Sequence, residues 1–179
     1  MSAIQVKDKQ FVPYLTAAQI DEQIKRLGAE INKDYAGKNP LFIAVLNGSF
    51  MFASDLFKEL DCEPEICFIK LASYKGTKST GNVITSIGLD ESLKGRHVVV
   101  LEDIVDTGKT LYEFLPQLTD QQPASLKIVA LLHKPDALQH PVTIDYLGFN
   151  VPNKFLLGYG LDYDGLARNL GEIYQLTGE

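Results

Sequence analysis

The chain has 179 residues, enough for one domain at about 150 residues each, and its 45% hydrophobic and 22% charged content excludes disordered, collagen-like and mucin-like classes. The longest apolar run, Leu41–Leu46, falls far short of the about 20 residues that cross a bilayer, and residues 1–12 are too polar for a secretory signal, so no membrane partner is expected. Lys and Arg number 17 against 23 Asp and Glu; the net charge of −6 opposes nonspecific nucleic-acid binding but not a small phosphorylated ligand.

In chain order, Thr16-Ala-Ala-Gln19 reads as a capping box. Apolar positions at Ile20, Ile24, Leu27 and Ile31 then predict an amphipathic helix ending near Gly37. Leu41–Leu46 reads as a buried strand between Pro40 and Asn47-Gly48. Ser49 is positioned to cap a second helix with an inner face of Phe52, Ala53, Leu56, Phe57 and Leu60. Cys62 and Cys67 make neither a disulfide framework nor a zinc site, and free thiols in a reducing cytoplasm are expected. His97, His133 and His140 lack metal-ligand spacing.

Glu65–Ala72 is a further strand candidate. Residues 73–82 are polar, hold two glycines and lack periodicity, which predicts a long loop of functional rather than structural purpose. Residues 83–87 resume a strand pattern, and residues 97–101 form a β-branched run that ends in Glu102-Asp103. A helix over 108–118 follows, with Leu111, Phe114, Leu115 and Leu118 on one face and Pro116 expected to kink or shorten it. Residues 126–132 and 155–157 complete the strands. Buried strands alternating with helices predict an α/β fold with a mostly parallel central sheet. Ligands of such sheets bind at the carboxyl ends of the strands, where Asn47-Gly48, residues 73–82 and residues 102–110 would all emerge.

Residues 98–110, Val-Val-Val-Leu-Glu-Asp-Ile-Val-Asp-Thr-Gly-Lys-Thr, carry the chemistry. Thr107, Gly108, Lys109 and Thr110 open a helix, offering backbone N–H groups and hydroxyls as a nest for a phosphate dianion. The nucleoside-triphosphate loop GxxxxGK[ST] would require glycine at position 103, where this chain has Asp103. Glu102 and Asp103 suit a hard cation or a pair of sugar hydroxyls.

This stretch resembles the phosphoribosyl-pyrophosphate motif of the type I phosphoribosyltransferases, and its Glu-Asp-Ile-Val-Asp-Thr-Gly-Lys-Thr form is similar to the hypoxanthine(-guanine) branch. Leu46-Asn-Gly-Ser-Phe, Ser73-Tyr74, Leu132-His-Lys134 and the segment from Lys154 through Asp162 to Arg168 extend the likeness over most of the chain. The resemblance implies the type I phosphoribosyltransferase fold, one domain over 1–179 with a small hood formed by the two chain ends. It also implies an enzyme, a Mg2+-dependent purine-salvage pentosyltransferase. Its reaction would be phosphoribosyl pyrophosphate plus a 6-oxopurine base, giving nucleoside monophosphate and pyrophosphate.

Carried over, Glu102 and Asp103 would hold ribose hydroxyls and magnesium, and Asp106 would take the proton from purine N7. The turn over Asp106, Thr107, Gly108, Lys109 and Thr110 would hold the 5′-phosphate. Lys134 would reach the 6-oxo group, Phe155 would stack on the base, and Leu156 would offer backbone contacts to the purine edge. Asp162, with Asp164 as a rival in the same turn, would bind near the purine and hold a second magnesium. Arg168 would reach pyrophosphate, and Ser73 and Tyr74 would belong to a closing loop. Asn47 stands where many relatives have Lys or Arg, so pyrophosphate would depend on the amides of Asn47 and Gly48. A cis peptide is expected at Leu46–Asn47. The resemblance also implies a cytoplasmic homodimer or homotetramer with small-molecule partners and no nucleic acid. A nucleotide- or RNA-binding regulator on the same fold is the alternative; it would call for a basic surface or a lost catalytic acid, and the sequence has neither.

Overall fold

The computed structural model describes residues 2–72, 84–87 and 92–178, so Ser73, Tyr74 and the expected loop over 73–82 lie outside the described residues. Two sheets organise the chain. The larger contains β3 (Leu41–Leu46), β4 (Glu65–Ala72), β5 (Ile84–Ile87), β6 (His97–Val105), β7 (Ser125–His133) and β8 (Tyr146–Asn150), in the order β5-β4-β3-β6-β7-β8. Its strands run parallel except β5, which pairs antiparallel with β4. The smaller is antiparallel and joins the chain ends: β1 (Ile4–Val6) and β2 (Lys9–Leu15) meet β9 (Leu156–Leu157) and β10 (Ile173–Leu176) in the order β1-β2-β10-β9.

The central strands are apolar throughout because both faces are covered. Phe42 and Ala44 of β3, with Val99 and Leu101 of β6, face the helices α1 (Ala17–Tyr35) and α2 (Phe50–Lys58), where they meet Ile20, Ile24, Leu27, Ile31, Phe52 and Leu56. The alternate residues Leu41, Ile43, Val98 and Val100 pack with Leu111, Phe114 and Leu118 of α3 (Lys109–Thr119). The Thr16 capping box forms in both directions: Gln19 N–H donates to Thr16 Oγ1 and Thr16 N–H donates to Gln19 Oε1. No helix among the described residues is long and apolar enough to cross a membrane.

Three local expectations are corrected. Ser49 precedes α2 without capping it; the Ser49 hydroxyl is buried and donates to Val45 O at 2.6 Å, which closes the turn after β3 instead. Pro116 does not end α3, which runs on to Thr119. Proline and Tyr112, whose carbonyl loses its i+4 donor, both lie on the exposed side, where water can replace the missing bond. The β6 run does not stop at the two acids: Glu102 pairs with Ala130 and Ile104 with Leu132, so Glu102 and Asp103 are strand residues in the sheet's interior rows.

Candidate active site

β6 reaches further than its neighbour β3, and its last residues form the floor of a cleft of about 270 Å³. Glu102, Asp103, Asp106, Thr107, Gly108, Lys109 and Thr110 all line this cleft, so the structure assembles in one place the residues that the motif implied. Glu102 is buried, and burial raises its carboxyl well above the ordinary range, with Asp103 adding repulsion. Asp103 is pushed up to about 6, chiefly by burial, against the opposing bond from Ile104 N–H at 2.8 Å.

After Asp106 the chain turns through Gly108, whose φ of +76° favours glycine over any residue with a side chain. The carbonyl of His140 lies against it, so that an added Cβ would approach that oxygen to 2.6 Å. Thr107 O accepts from both Gln139 N–H and His140 N–H at 3.0 Å, which fixes the turn's carbonyl on the protein side. The first helical bond recorded at the start of α3 runs from Tyr112 N–H to Gly108 O. The amides before it are the free donors of a helix start, except that Lys109 N–H makes a long bond of 3.4 Å to Thr107 Oγ1, and these residues border the cleft.

Two glycine turns in contact lie against Asp103 at the side of the cleft, outside its lining. Leu46–Asn47 is a cis peptide, as expected, and Asn47 is exposed beyond it. A side chain at Gly48 would collide with the Asp103 carboxylate, and one at Gly160 (φ +97°) would collide with Gly48 O. Gly160 also exchanges bonds with Arg168: its N–H donates to Arg168 O at 2.9 Å, and its carbonyl accepts from Arg168 Nη1 at 2.6 Å. Arg168 Nη2 pairs with Asp162 at 2.7 Å, and the other Asp162 oxygen accepts from Gly165 N–H at 2.7 Å. Asp164, the rival of Asp162, instead pairs with Lys7 at 2.9 Å on the exposed surface.

Beyond the lining, one further group meets the cleft at Asp106, just after β7. Lys134 is buried, and its Nζ lies 3.0 Å from Asp106 Oδ2. Phe155 is half-exposed, with its ring 6.2 Å from Phe11 and 5.8 Å edge-on from Tyr163. Leu156 is buried and pairs with Gln175 in the small sheet. The motif reading did not find the Lys134–Asp106 pair, the His140 carbonyl or Gly160. A Gly-Tyr-Gly run at 158–160 was the one available signal for a left-handed turn.

The phosphoribosyl transferase domain model matches residues 14–164. The hypoxanthine-guanine phosphoribosyltransferase of Lactococcus lactis is 44% identical over 162 residues, covering 90% of this chain and 88% of that one. This chain belongs to the hypoxanthine-guanine phosphoribosyltransferase family. The hypoxanthine-guanine-xanthine phosphoribosyltransferase of Tritrichomonas foetus is 45% identical over 155 residues, covering 86% of this chain and 85% of the relative. A crystal structure of a hypoxanthine phosphoribosyltransferase from Staphylococcus aureus superposes with a TM-score of 0.87 at 40% identity, covering 92% of this chain and 90% of the other. The five parallel strands flanked by helices are thus a type I phosphoribosyltransferase fold, and the chain is a pentosyltransferase of purine salvage.

The two glycines separate stability from activity in this phosphoribosyltransferase. Alanine at Gly48 meets only the tip of the Asp103 side chain, which can swing away. Gly48→Ala should therefore melt close to the parent while kcat/KM falls by about 10²-fold, because small misplacements at a reacting centre cost that much. Alanine at Gly160 meets backbone and a positive φ, so it should lower the melting midpoint by several degrees, at about 2–4 °C per kcal/mol. Thermal melts paired with steady-state kinetics check both.

Proposed function

We propose that the chain transfers the 5-phosphoribosyl group from phosphoribosyl pyrophosphate to N9 of hypoxanthine, and also of guanine, giving IMP or GMP and pyrophosphate. The Lys134–Asp106 pair at 3.0 Å carries this reading, because it sets an ammonium donor beside a carboxylate acceptor at the mouth of a phosphate nest. A 6-oxopurine presents the matching edge, with an acceptor at O6 and, in the N7–H tautomer, a donor at N7. The lysine donates to O6 and the Asp106 carboxylate takes the N7 proton as N9 bonds to the sugar.

The sugar's 5′-phosphate lies on the amides of 107–110, and the left-handed Gly108 turn keeps side chains out of its way. Fixing that end of the substrate orients the anomeric carbon towards the base, which lowers the entropic part of the barrier. Glu102 and Asp103 accept from the ribose hydroxyls and face the positive charge that develops on the sugar, as the acids of glycoside hydrolysis do. The amides of Asn47 and Gly48 receive pyrophosphate, with Arg168 near the same turn, and Phe155 stacks on the base with Leu156 at its edge. Ser73 and Tyr74 belong to the closing loop in this reading.

Magnesium fits the acid pair. Glu102 is buried and Asp103 half-buried, burial raises both carboxyls, and neither has an ion pair with Lys or Arg among the described residues. Among the described residues no cluster of three or more His, Cys, Asp or Glu forms a protein cage. That suits Mg2+, which takes one or two carboxylates and completes its shell with phosphate oxygens and water. Glu102, Asp103 and, for a second ion, Asp162 are the residues that would hold it. Held there, magnesium would supply Lewis-acid stabilisation of the charge on the departing pyrophosphate. A cytoplasmic homodimer or homotetramer is part of the same reading, supported by membership of the family.

Pyrophosphate release measured with hypoxanthine, guanine and xanthine in parallel tests the reaction. Base-dependent release is expected with the first two, and Asp106→Asn should lower kcat by about 10²–10⁴-fold. No release with any 6-oxopurine overturns the reading. The acid pair also predicts a pH effect. Between its ordinary 3.8 and about 6, the folded chain holds a proton at Asp103 that the unfolded chain has lost, so this group's contribution to stability falls as pH rises through that window. A cation needs the ionised form. Added magnesium with pyrophosphate should therefore raise the melting midpoint clearly at pH 8 and little at pH 5; an equal rise at both would contradict the assignment.

A further inference from the structure

We infer that Tyr159 and Asp55 are a positioning pair that locks the Gly48 turn against the turn carrying Asp162, and so sets the pyrophosphate end of the site; this rests on the phosphoribosyl-transfer reading above. The first observation is conformational. Tyr159 stands between Gly158 (φ +94°) and Gly160 (φ +97°) and itself has a φ of +49°. A bulky residue in the left-handed region is disfavoured, and a third glycine or an asparagine would suit the backbone better. The side chain at this position must therefore contribute something that the backbone does not need.

Its contacts show what that is. Tyr159 is buried, and its hydroxyl crosses to α2 to donate to Asp55 Oδ2 at 2.6 Å. The other oxygen of Asp55 is held by Lys58 Nζ at 2.6 Å, so the carboxylate is fixed on both sides. Burial raises the Tyr159 hydroxyl, and the Asp55 bond raises it further, which keeps it a donor across the working pH range. The bond spans 104 residues of sequence.

The two ends of this bond are the two turns that meet at the site. Asp55 belongs to the helix that begins directly after Asn47, Gly48 and Ser49, and a short helix moves with its first turn as a unit. Tyr159 precedes Gly160, which lies on Gly48 O and is bonded in both directions to Arg168. Arg168 in turn holds Asp162. Loss of the hydroxyl would let Gly160 lift from Gly48, and the Asp103 carboxylate that rests on Gly48 would lose its seat as well. Neither residue of the pair lines the cleft around the phosphate nest, so the effect acts through the turns.

The consequence is selective. Pyrophosphate and its phosphoribosyl ester depend on the Gly48 and Gly160 turns, whereas the base is held chiefly by Lys134 and Phe155, outside the 158–162 turn, with Leu156 and Asp162 only at its edge. Tyr159→Phe, which keeps the ring and removes only the donor, should raise KM for phosphoribosyl pyrophosphate by about tenfold, the effect of losing a hydrogen bond to a charged group. KM for hypoxanthine should stay within about twofold. Asp55→Ala should match it, the double variant should be no worse than either alone, and Asp55→Asn, which keeps an oxygen acceptor, should restore the parent value.

Hydrogen exchange on the full chain gives the second readout. In Tyr159→Phe, segments 46–49 and 158–162 should exchange faster together, while β6 and β7 stay protected. Equal shifts of both KM values, or a change in neither, overturn the pairing, as does faster exchange confined to 158–162. If the parent protein released no pyrophosphate with any base, the reaction assignment would fail, and the exchange result would still decide the pair.

Discussion

Taking an ionised carboxylate out of water costs several kcal/mol unless a counter-charge or hydrogen bonds replace the lost solvent. β6 carries two acids in succession: Glu102, which is buried and pairs with Ala130 of β7, and Asp103, which is half-buried beside it. Burial pushes both carboxyls up, and Ile104 N–H offsets part of that at Asp103. A core strand gains nothing from such residues, so they are a local cost to the fold. The apolar layers on either face of β6, with Phe42, Leu101 and Phe52 on one side and Val100, Leu111 and Phe114 on the other, are what the strand needs to tolerate it.

The same strand then supplies the opposite electrostatics within a few residues. Past Asp106 the turn at Gly108 aims helix-start amides into the cleft that the acids line, so an anion and a cation are both favoured there a short distance apart. One segment serves both ends of this arrangement. Lys134 reaches Asp106, the amides of Gln139 and His140 hold Thr107 O, and the His140 carbonyl covers Gly108. Asp106 and the Gly108 turn are therefore braced by a single connection over residues 134–140. At the side of the cleft, Gly48 and Gly160 approach so closely that the two turns are in contact.

Much of this was legible before the structure. The capping box at Thr16, the apolar β3 run and the Glu102 to Thr110 motif are local patterns, and local patterns report local structure. What stayed hidden depends on partners distant in sequence. β2 contains Pro13, which argues against a strand, and forms because β10 pairs with it at the far end of the chain. β1, β8 and β10 are three to five residues long, below the length at which alternation is readable. Ser49 looked like a cap because its position before a helix is correct, yet a nearer acceptor, Val45 O, captured its hydroxyl. The resemblance implied that Arg168 reaches pyrophosphate; its bonds to Asp162 and to the Gly160 carbonyl depend on a turn that the sequence does not show.

The central claim is that the reversal after β6 grips the phosphoryl end of the sugar while Asp106 and Lys134 face the base. A crystal structure with IMP tests it most directly. The account predicts the 5′-phosphate within hydrogen-bonding distance of the amides of 107–110, and the purine O6 beside Lys134 Nζ with Asp106 turned to N7. IMP bound elsewhere, with that turn left to solvent, would contradict it.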